Sequence, residues 1–290
     1  FFQNMDTCQQ VEQLRKIVDR WKTSGETIAF VPTMGNLHQG HLSLVEIALQ
    51  KASRVVVSIY VNPMQFSPDE DFDSYPRTLD DDLDKLRSMD VDLVFTPDDA
   101  MIYPRGESRS TFIEVPGLSQ IIEGEFRPGF FRGVATVVMK LFNMVQPDIA
   151  IFGEKDYQQL LVIRQMVADM NLPIEVIGAE IKREADGLAM SSRNNYLDSA
   201  ERENSRLLSE SLQTLSHNIE HGMSVKQAEA DCCAALLRHG FIVDYVTTCE
   251  TGTLKQVSDE QLMANTELIV LAAARLGKTR LIDNLKFNVR

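Results

Sequence analysis

The stretch Thr27-Ile28-Ala29-Phe30-Val31-Pro32-Thr33-Met34-Gly35-Asn36-Leu37-His38-Gln39-Gly40-His41 decides the fold. Its opening run is apolar enough for a buried strand, and residues 42–52 repeat Leu42, Leu44, Val45, Ala48 and Leu49 as a helix would. The segment between is then a strand-to-helix turn with two glycines and two histidines. Such a turn is expected to aim backbone N–H groups at an anion, and the partial positive charge of the helix N-terminus adds to the attraction. The paired histidines bring further donors. The stretch reads as a site for nucleotide phosphates, although a glycine-rich turn taken alone is more often structural.

Outward from this turn, strands and helices alternate. The spacing predicts helices over 11–21, 79–89, 131–145 and 157–170, and strands over 55–61, 93–95, 149–152 and 174–177. Val55-Val56-Val57-Ser58-Ile59-Tyr60-Val61 is nearly continuous in its apolar character, as expected of a strand covered on both faces. The alternation implies an α/β domain over residues 1–181, a Rossmann-like doubly wound parallel sheet. The pattern then changes. Helices over 200–219 and 225–239 precede strands over 241–248, 268–274 and 279–282, with a hairpin at Leu276-Gly277-Lys278-Thr279-Arg280. This predicts a second, smaller α+β domain over 182–290.

Of 290 residues, 29 are Lys or Arg and 42 are Asp or Glu, a formal net charge of −13 that argues against a nucleic-acid partner. A local basic pocket for a small anion remains compatible with that charge. Cys8, Cys232, Cys233 and Cys249 have no zinc or redox spacing, so free thiols in a reducing compartment are expected. The longest apolar run, 268–274, is too short to cross a membrane, and no signal-peptide pattern opens the sequence. A cytoplasmic protein without a membrane partner is expected.

Three further segments end predicted strands, where doubly wound folds bind ligands. In Val61-Asn62-Pro63-Met64-Gln65-Phe66, the neutral amides of Asn62 and Gln65 suit a substrate bearing hydroxyls or a carboxylate. In Gly153-Glu154-Lys155-Asp156-Tyr157-Gln158-Gln159, Gly153 admits a ligand to the backbone and Lys155 can neutralise phosphate. Asp156 there suits a helix cap, Gln159 follows Lys155 at i,i+4, and Lys155-Asp156 reads equally as a solvated ion pair. In Met190-Ser191-Ser192-Arg193-Asn194, two hydroxyls beside an arginine make an oxyanion-binding set. Asp80-Asp81-Asp82 reads either as acidic residues favouring a helix N-terminus or, through Asp81 and Asp82, as carboxylates for Mg2+. His38 and His41 have spacing that also permits a metal pair, but Glu46 falls off the metalloprotease pattern.

His38-Gln39-Gly40-His41 resembles the His-x-Gly-His signature of the nucleotidylyltransferase and class I aminoacyl-tRNA synthetase superfamily. Met190-Ser191-Ser192-Arg193 resembles its mobile Lys-Met-Ser-Lys-Ser-type partner. The longer strings Pro32-Thr33-Met34-Gly35, Tyr60-Val61-Asn62-Pro63-Met64-Gln65-Phe66, Tyr75-Pro76-Arg77-Thr78, Phe152-Gly153-Glu154-Lys155-Asp156-Tyr157-Gln158-Gln159 and Met190-Ser191-Ser192-Arg193-Asn194 are similar to those of the pantoate–β-alanine ligases. They occur in the same order between about residue 28 and residue 197.

The resemblance implies an AMP-forming ligase that joins pantoate to β-alanine through a pantoyl adenylate, with ATP as co-substrate and Mg2+. By that likeness the segment from Pro32 to His41 would hold ATP, with His38 and His41 on its phosphates. Gln65 and Gln159 would hold pantoate, with Asn62 lining the pocket. Gly153, Glu154, Lys155 and Asp156 would hold the nucleotide, with Lys155 on phosphate. Met190, Ser191, Ser192 and Arg193 would close over the triphosphate. Lys182 stands where the family has an aliphatic residue whose backbone contacts adenine. The resemblance further implies a homodimer. The second domain would be a lid hinged near 182–186.

Overall fold

The computed structural model describes residues 5–68, 70–259 and 265–289. Strand β1 (Asp6–Cys8) is followed by α1 (Val11–Thr23), β2 (Ile28–Thr33), α2 (Gln39–Lys51), β3 (Arg54–Ile59), α3 (Leu79–Ser88) and β4 (Leu93–Phe95). Two short helices, α4 (Asp99–Ile102) and α5 (Glu123–Phe126), then lead to α6 (Phe130–Val145), β5 (Ile149–Gly153), α7 (Tyr157–Asp169) and β6 (Glu175–Ala179). All pairings in the resulting sheet are parallel and its order is β1-β4-β3-β2-β5-β6. The central strands are apolar on both sides because both faces are covered: Ala29, Val31, Val55 and Val57 pack with Val45 and Ala48 of α2. Opposite them, Phe30 and Phe152 each meet Phe142 of α6 edge-on at 6.3 Å.

From β2, the chain steps through β3 and β4 to one side, then returns to lay β5 and β6 on the other. This reversal is the switch point at which a doubly wound sheet opens a crevice beyond the carboxyl ends of its strands. Register sets Thr33 opposite Ile59 and Phe30 opposite Ala150. The histidine turn follows β2 and Gly153 ends β5, so both leave the sheet at the switch.

After β6 come α8 (Ser199–Ser205), α9 (Leu207–Glu220) and α10 (Val225–Arg238), then β7 (Phe241–Glu250), β8 (Glu267–Leu276) and β9 (Thr279–Asn288). The strands form an antiparallel sheet in the order β7-β8-β9. Leu208, Leu212 and Leu236 from the helices share its core with Val270 and Ala272. Residues up to Glu154 and Val162–Glu180 form one compact unit; Lys155–Leu161 and the residues from Ile181 onward form the other.

Several expectations change in detail. Helix α2 starts at Gln39 rather than residue 42, because His38 caps it. The helix expected over 200–219 is two helices that meet at Arg206, the first opened by a reciprocal Asp198–Glu201 cap. Strand β1 escapes the sequence pattern, since three residues carry no usable periodicity. Strand β9 runs past residue 282 because its polar Asp283 and Asn284 are buried with partners, Arg183 and the Lys155 carbonyl. All four cysteines are free thiols; burial pushes Cys232 up to about 12 and, aided by Asp6 in the case of Cys8, pushes Cys8 and Cys249 to about 11. Among the described residues, no helix is long and apolar enough to cross a membrane.

Candidate active site

The turn after β2 is held from inside. Thr33 donates its hydroxyl to Ser58 O (2.8 Å) and accepts from Gly35 N (3.2 Å). Asn36 N and Leu37 N each donate to a different oxygen of Asp82 at 2.8 Å. His38 N donates to His41 Nδ1 (3.3 Å), and Gly40 N donates to His38 Nδ1 (3.1 Å). The expectation that this turn aims its backbone N–H groups at an anion is thereby corrected. Those of Gly35, Asn36, Leu37, His38 and Gly40 are bonded within the protein, as nearly all buried N–H groups must be.

The same bonds fix the His38 and His41 rings. Each Nδ1 accepts a backbone N–H, so each neutral imidazole carries its proton on Nε2. The two rings lie 4.0 Å apart at the N-terminus of α2, where the helix dipole favours a negative ligand. Within the same segment Pro32 and Met34 are half-buried, Leu37 is buried and Gln39 is exposed.

Asp82 is completely buried on the first turn of α3. Besides the two amides it accepts from the Thr78 hydroxyl (3.2 Å), and Lys85 Nζ lies 3.9 Å from its Oδ1. Lys85 also donates to Leu37 O at 2.8 Å. This carboxylate does not fit the Mg2+ role expected of it: its oxygens are engaged and an ammonium already stands beside it. Asp81 is exposed. Among the described residues, no group of three or more His, Cys, Asp or Glu is arranged to hold a metal.

Beyond β3, the turn Pro63–Gln65 carries a second polar set. Asn62, 1% exposed, donates through Nδ2 to Gln65 Oε1 (3.0 Å) and to Gly133 O (3.2 Å). Its Oδ1 accepts from the Tyr103 hydroxyl at 2.7 Å. Burial, with Glu107 and Asp99 adding, pushes the Tyr103 phenol above its ordinary value and keeps it a donor. Asn62 therefore orients Gln65: with Oε1 engaged, the Gln65 amide presents its Nε2 hydrogens, the right polarity for a carboxylate or hydroxyl oxygen.

Helix α6 lies against this turn so closely that a Cβ on Gly133 would collide with Met64 O. Arg127 fastens the turn's end, donating to Gln65 O (3.0 Å) while paired bidentately with Glu70 at 2.6 and 2.7 Å. Tyr103, Arg127 and Gly133 are absent from the sequence reading. Each acts through a partner far along the chain, and none has a local signature.

Gly153 ends β5 with nothing within 4 Å of where a Cβ would stand, so its backbone is open to approach. Glu154, Lys155 and Asp156 form a short 3-10 turn into α7, all half-buried. In the second unit, Lys155 O accepts from Asn284 Nδ2 (2.9 Å), and half-buried Gln159 lies in the first turn of α7. There too Lys182 and Met190, far apart in the sequence reading, are hairpin partners: Met190 N donates to Lys182 O at 3.0 Å, beside the bridge Arg183–Ala189. Arg183 anchors this hairpin to Asp283 at 2.7 and 2.9 Å. Ser191 Oγ accepts from Arg193 N (3.3 Å) and caps the turn Ser192–Tyr196. Lys182 is exposed and Ser192 buried. The structure thus gathers His38, His41, Asn62, Gln65 and Gly153 in one unit, and Lys155, Gln159, Lys182 and the segment from Met190 to Arg193 in the other.

The family profile described as pantoate-beta-alanine ligase matches residues 6–286. The pantothenate synthetase of Shewanella sp. (strain ANA-3) is 51% identical over 98% of this chain and 100% of its own. The crystal structure of pantothenate synthetase from Thermus thermophilus superposes with a TM-score of 0.89 at 44% identity, covering 97% of this chain and 99% of that one. That of a pantoate-beta-alanine ligase from Francisella tularensis, complexed with beta-gamma ATP and beta-alanine, gives 0.80 at 33% identity over 97% of both chains. A switch-point site with paired histidines, the Asn62–Gln65 amide pair and a match spanning both units lead to one conclusion: the chain belongs to the pantoate-beta-alanine ligase family.

Proposed function

We propose that the chain activates the carboxylate of pantoate with ATP and passes the acyl group to the amine of β-alanine. First, a pantoate oxygen attacks the α-phosphorus; the bond to the bridging oxygen breaks and pyrophosphate leaves with its electron pair. Then the amine attacks the acyl carbon of the pantoyl adenylate, the bond to the phosphate oxygen breaks, AMP leaves, and the nitrogen loses a proton. Substrate atoms supply both nucleophiles, so the protein's work is to orient groups and to stabilise charge on phosphate.

The observation that carries this reading is the reciprocal histidine cap at the switch point. It leaves two imidazoles with their N–H on Nε2 at a helix N-terminus, suited to polyphosphate. In this scheme the segment from Pro32 to His41 cradles ATP, with His38 and His41 as phosphate donors. Gln65, oriented by Asn62, donates to pantoate, and Gln159 is its second amide. The backbone from Gly153 to Asp156 accompanies the nucleotide, and the Lys155 ammonium meets phosphate. Arg193 and the hydroxyls of Ser191 and Ser192 serve the triphosphate beside Met190, and the Lys182 backbone serves adenine.

Mg2+ belongs in this scheme with the triphosphate oxygens, its usual ligands, and not with Asp82. In this scheme the second unit acts as a lid hinged near 182–186, and the Arg183–Asp283 tie supports a hinge at the start of that segment. A homodimer in the cytoplasm completes the proposal.

The test is pantoate-dependent exchange of labelled pyrophosphate into ATP, with Mg2+ and without β-alanine. Exchange that requires pantoate is expected. ATP binding with no exchange would overturn the adenylate step.

A further inference from the structure

The strongest unassigned constellation is the one on the first turns of α3. Asp82 receives Asn36 N and Leu37 N on separate oxygens, both at 2.8 Å, and the Thr78 hydroxyl at 3.2 Å. One helical turn on, Lys85 donates to Leu37 O at 2.8 Å and stands 3.9 Å from Asp82 Oδ1. Helix α3 thus grips both polar faces of the peptide groups that immediately precede the cap residue His38. The fit leaves little room: Gly35 has φ +80°, and a Cβ there would stand 3.1 Å from Asp82 Oδ2.

We propose that Asp82 and Lys85 form a clasp that positions the histidine turn, and that Asp82 acts as a positioning residue rather than as a Mg2+ ligand. The inference rests on the phosphate role given to His38 and His41 above. A carboxylate offers about four lone-pair sites, and three donors already use this one. A Mg2+ ion at about 2.0–2.1 Å would displace a buried N–H and face the Lys85 ammonium. Lys85 has a second effect. It offsets the Asp82 charge beneath the turn, so a negative side chain can organise a site meant for a more negative ligand. Backbone held this way fixes the cap, and the cap fixes the two imidazoles.

The experiment measures peptide-resolved hydrogen–deuterium exchange of the ligand-free protein over residues 34–38, in wild type, Asp82→Asn and Lys85→Met. Pyrophosphate exchange is titrated with Mg2+ on the same samples. In Asp82→Asn the incoming amide can meet an N–H donor with another donor. Exchange in the segment is then expected to rise about tenfold or more, the equivalent of losing about 1.4 kcal/mol of local protection. The half-saturating Mg2+ concentration should stay within about twofold, while the KM for ATP rises. Lys85→Met keeps the carboxylate and should give a smaller rise in exchange; it carries the test if Asp82→Asn does not fold. Unchanged exchange in both variants overturns the clasp. A half-saturating Mg2+ concentration raised about tenfold in Asp82→Asn overturns the exclusion of metal. The amide readout needs no turnover, so a failure of the proposed reaction is distinguishable from a failure of the clasp.

Discussion

Tyr103→Phe removes one oxygen and with it the donor that fixes the Asn62 amide. The bond is 2.7 Å long and both residues are buried, at 3% and 1% exposure, so water cannot readily replace the hydroxyl. Leaving Asn62 Oδ1 without this donor should cost about 1–3 kcal/mol of stability. The consequence for function follows from the next bond. Asn62 Nδ2 holds Gln65 Oε1 at 3.0 Å and thereby fixes which end of the Gln65 amide donates. If the Asn62 amide flips, its oxygen faces the Gln65 oxygen, and Gln65 must flip as well or lose its partner. An orientational bias weakened by about 0.7–1.4 kcal/mol changes the competent population by roughly three- to tenfold. We therefore expect the pantoate KM to rise roughly three- to tenfold with ATP and β-alanine saturating, while kcat and the ATP KM stay within about twofold. A fall in melting temperature with an unchanged pantoate KM would refute the reasoning, because the network would then be structural only. An equal rise in the ATP KM would refute it too, by showing a general loosening of the site.

Gly133→Ala would drive a methyl group into Met64 O, so α6 and the Gln65 turn must separate; a loss of at least about 1–3 kcal/mol in chemical denaturation and a raised pantoate KM are expected. Lys155→Ala should lower turnover about 100-fold or more in steady-state assays, as loss of a phosphate-directed cation should; near-normal turnover would remove Lys155 from the mechanism. Burial raises the Glu229 carboxyl above its ordinary value, against the lowering effect of its bond from Thr248 N at 2.6 Å. A raised folded value means that stability from this group is present below the unfolded value of 4.5 and is lost as pH rises through the folded one. Glu229→Gln should therefore raise the melting temperature at pH about 7 and leave it unchanged near pH about 4; a destabilised variant at neutral pH would contradict this.

Local pattern was enough to find most of the elements. The Val55-Val56-Val57 run, the 157–169 helix and the turn between β2 and α2 each depend on residues a few positions apart, and burial on two faces or one leaves a period that can be read. The parallel doubly wound sheet followed too, because strands that alternate with helices are joined by crossovers. Apart from the short β1 and the division of the 200–219 helix, what escaped was held by distant partners. Strand β9 looked finished at Asp283-Asn284 because two polar residues interrupt an apolar run. They continue the strand only because Arg183 and Lys155 meet them. The N–H groups of the histidine turn looked available because nothing nearby in sequence competes for them; Asp82 does, from 46 and 45 positions away.

The sequence alone determined the α/β alternation, the place of the switch-point turn, and the residue types His38, His41, Asn62, Gln65 and Lys155 on which adenylate chemistry can draw. Those properties are local, since side-chain period and turn chemistry act over a few residues. The tertiary structure alone decided what each polar group does. It tied up the backbone N–H groups of Gly35, Asn36, Leu37, His38 and Gly40, set Asn62 Nδ2 on Gln65 Oε1, and set Asp82 on the amides of Asn36 and Leu37. A hydrogen-bonding group is defined by the partner that occupies it, and here Asp82, Tyr103 and Gly133 come from other elements.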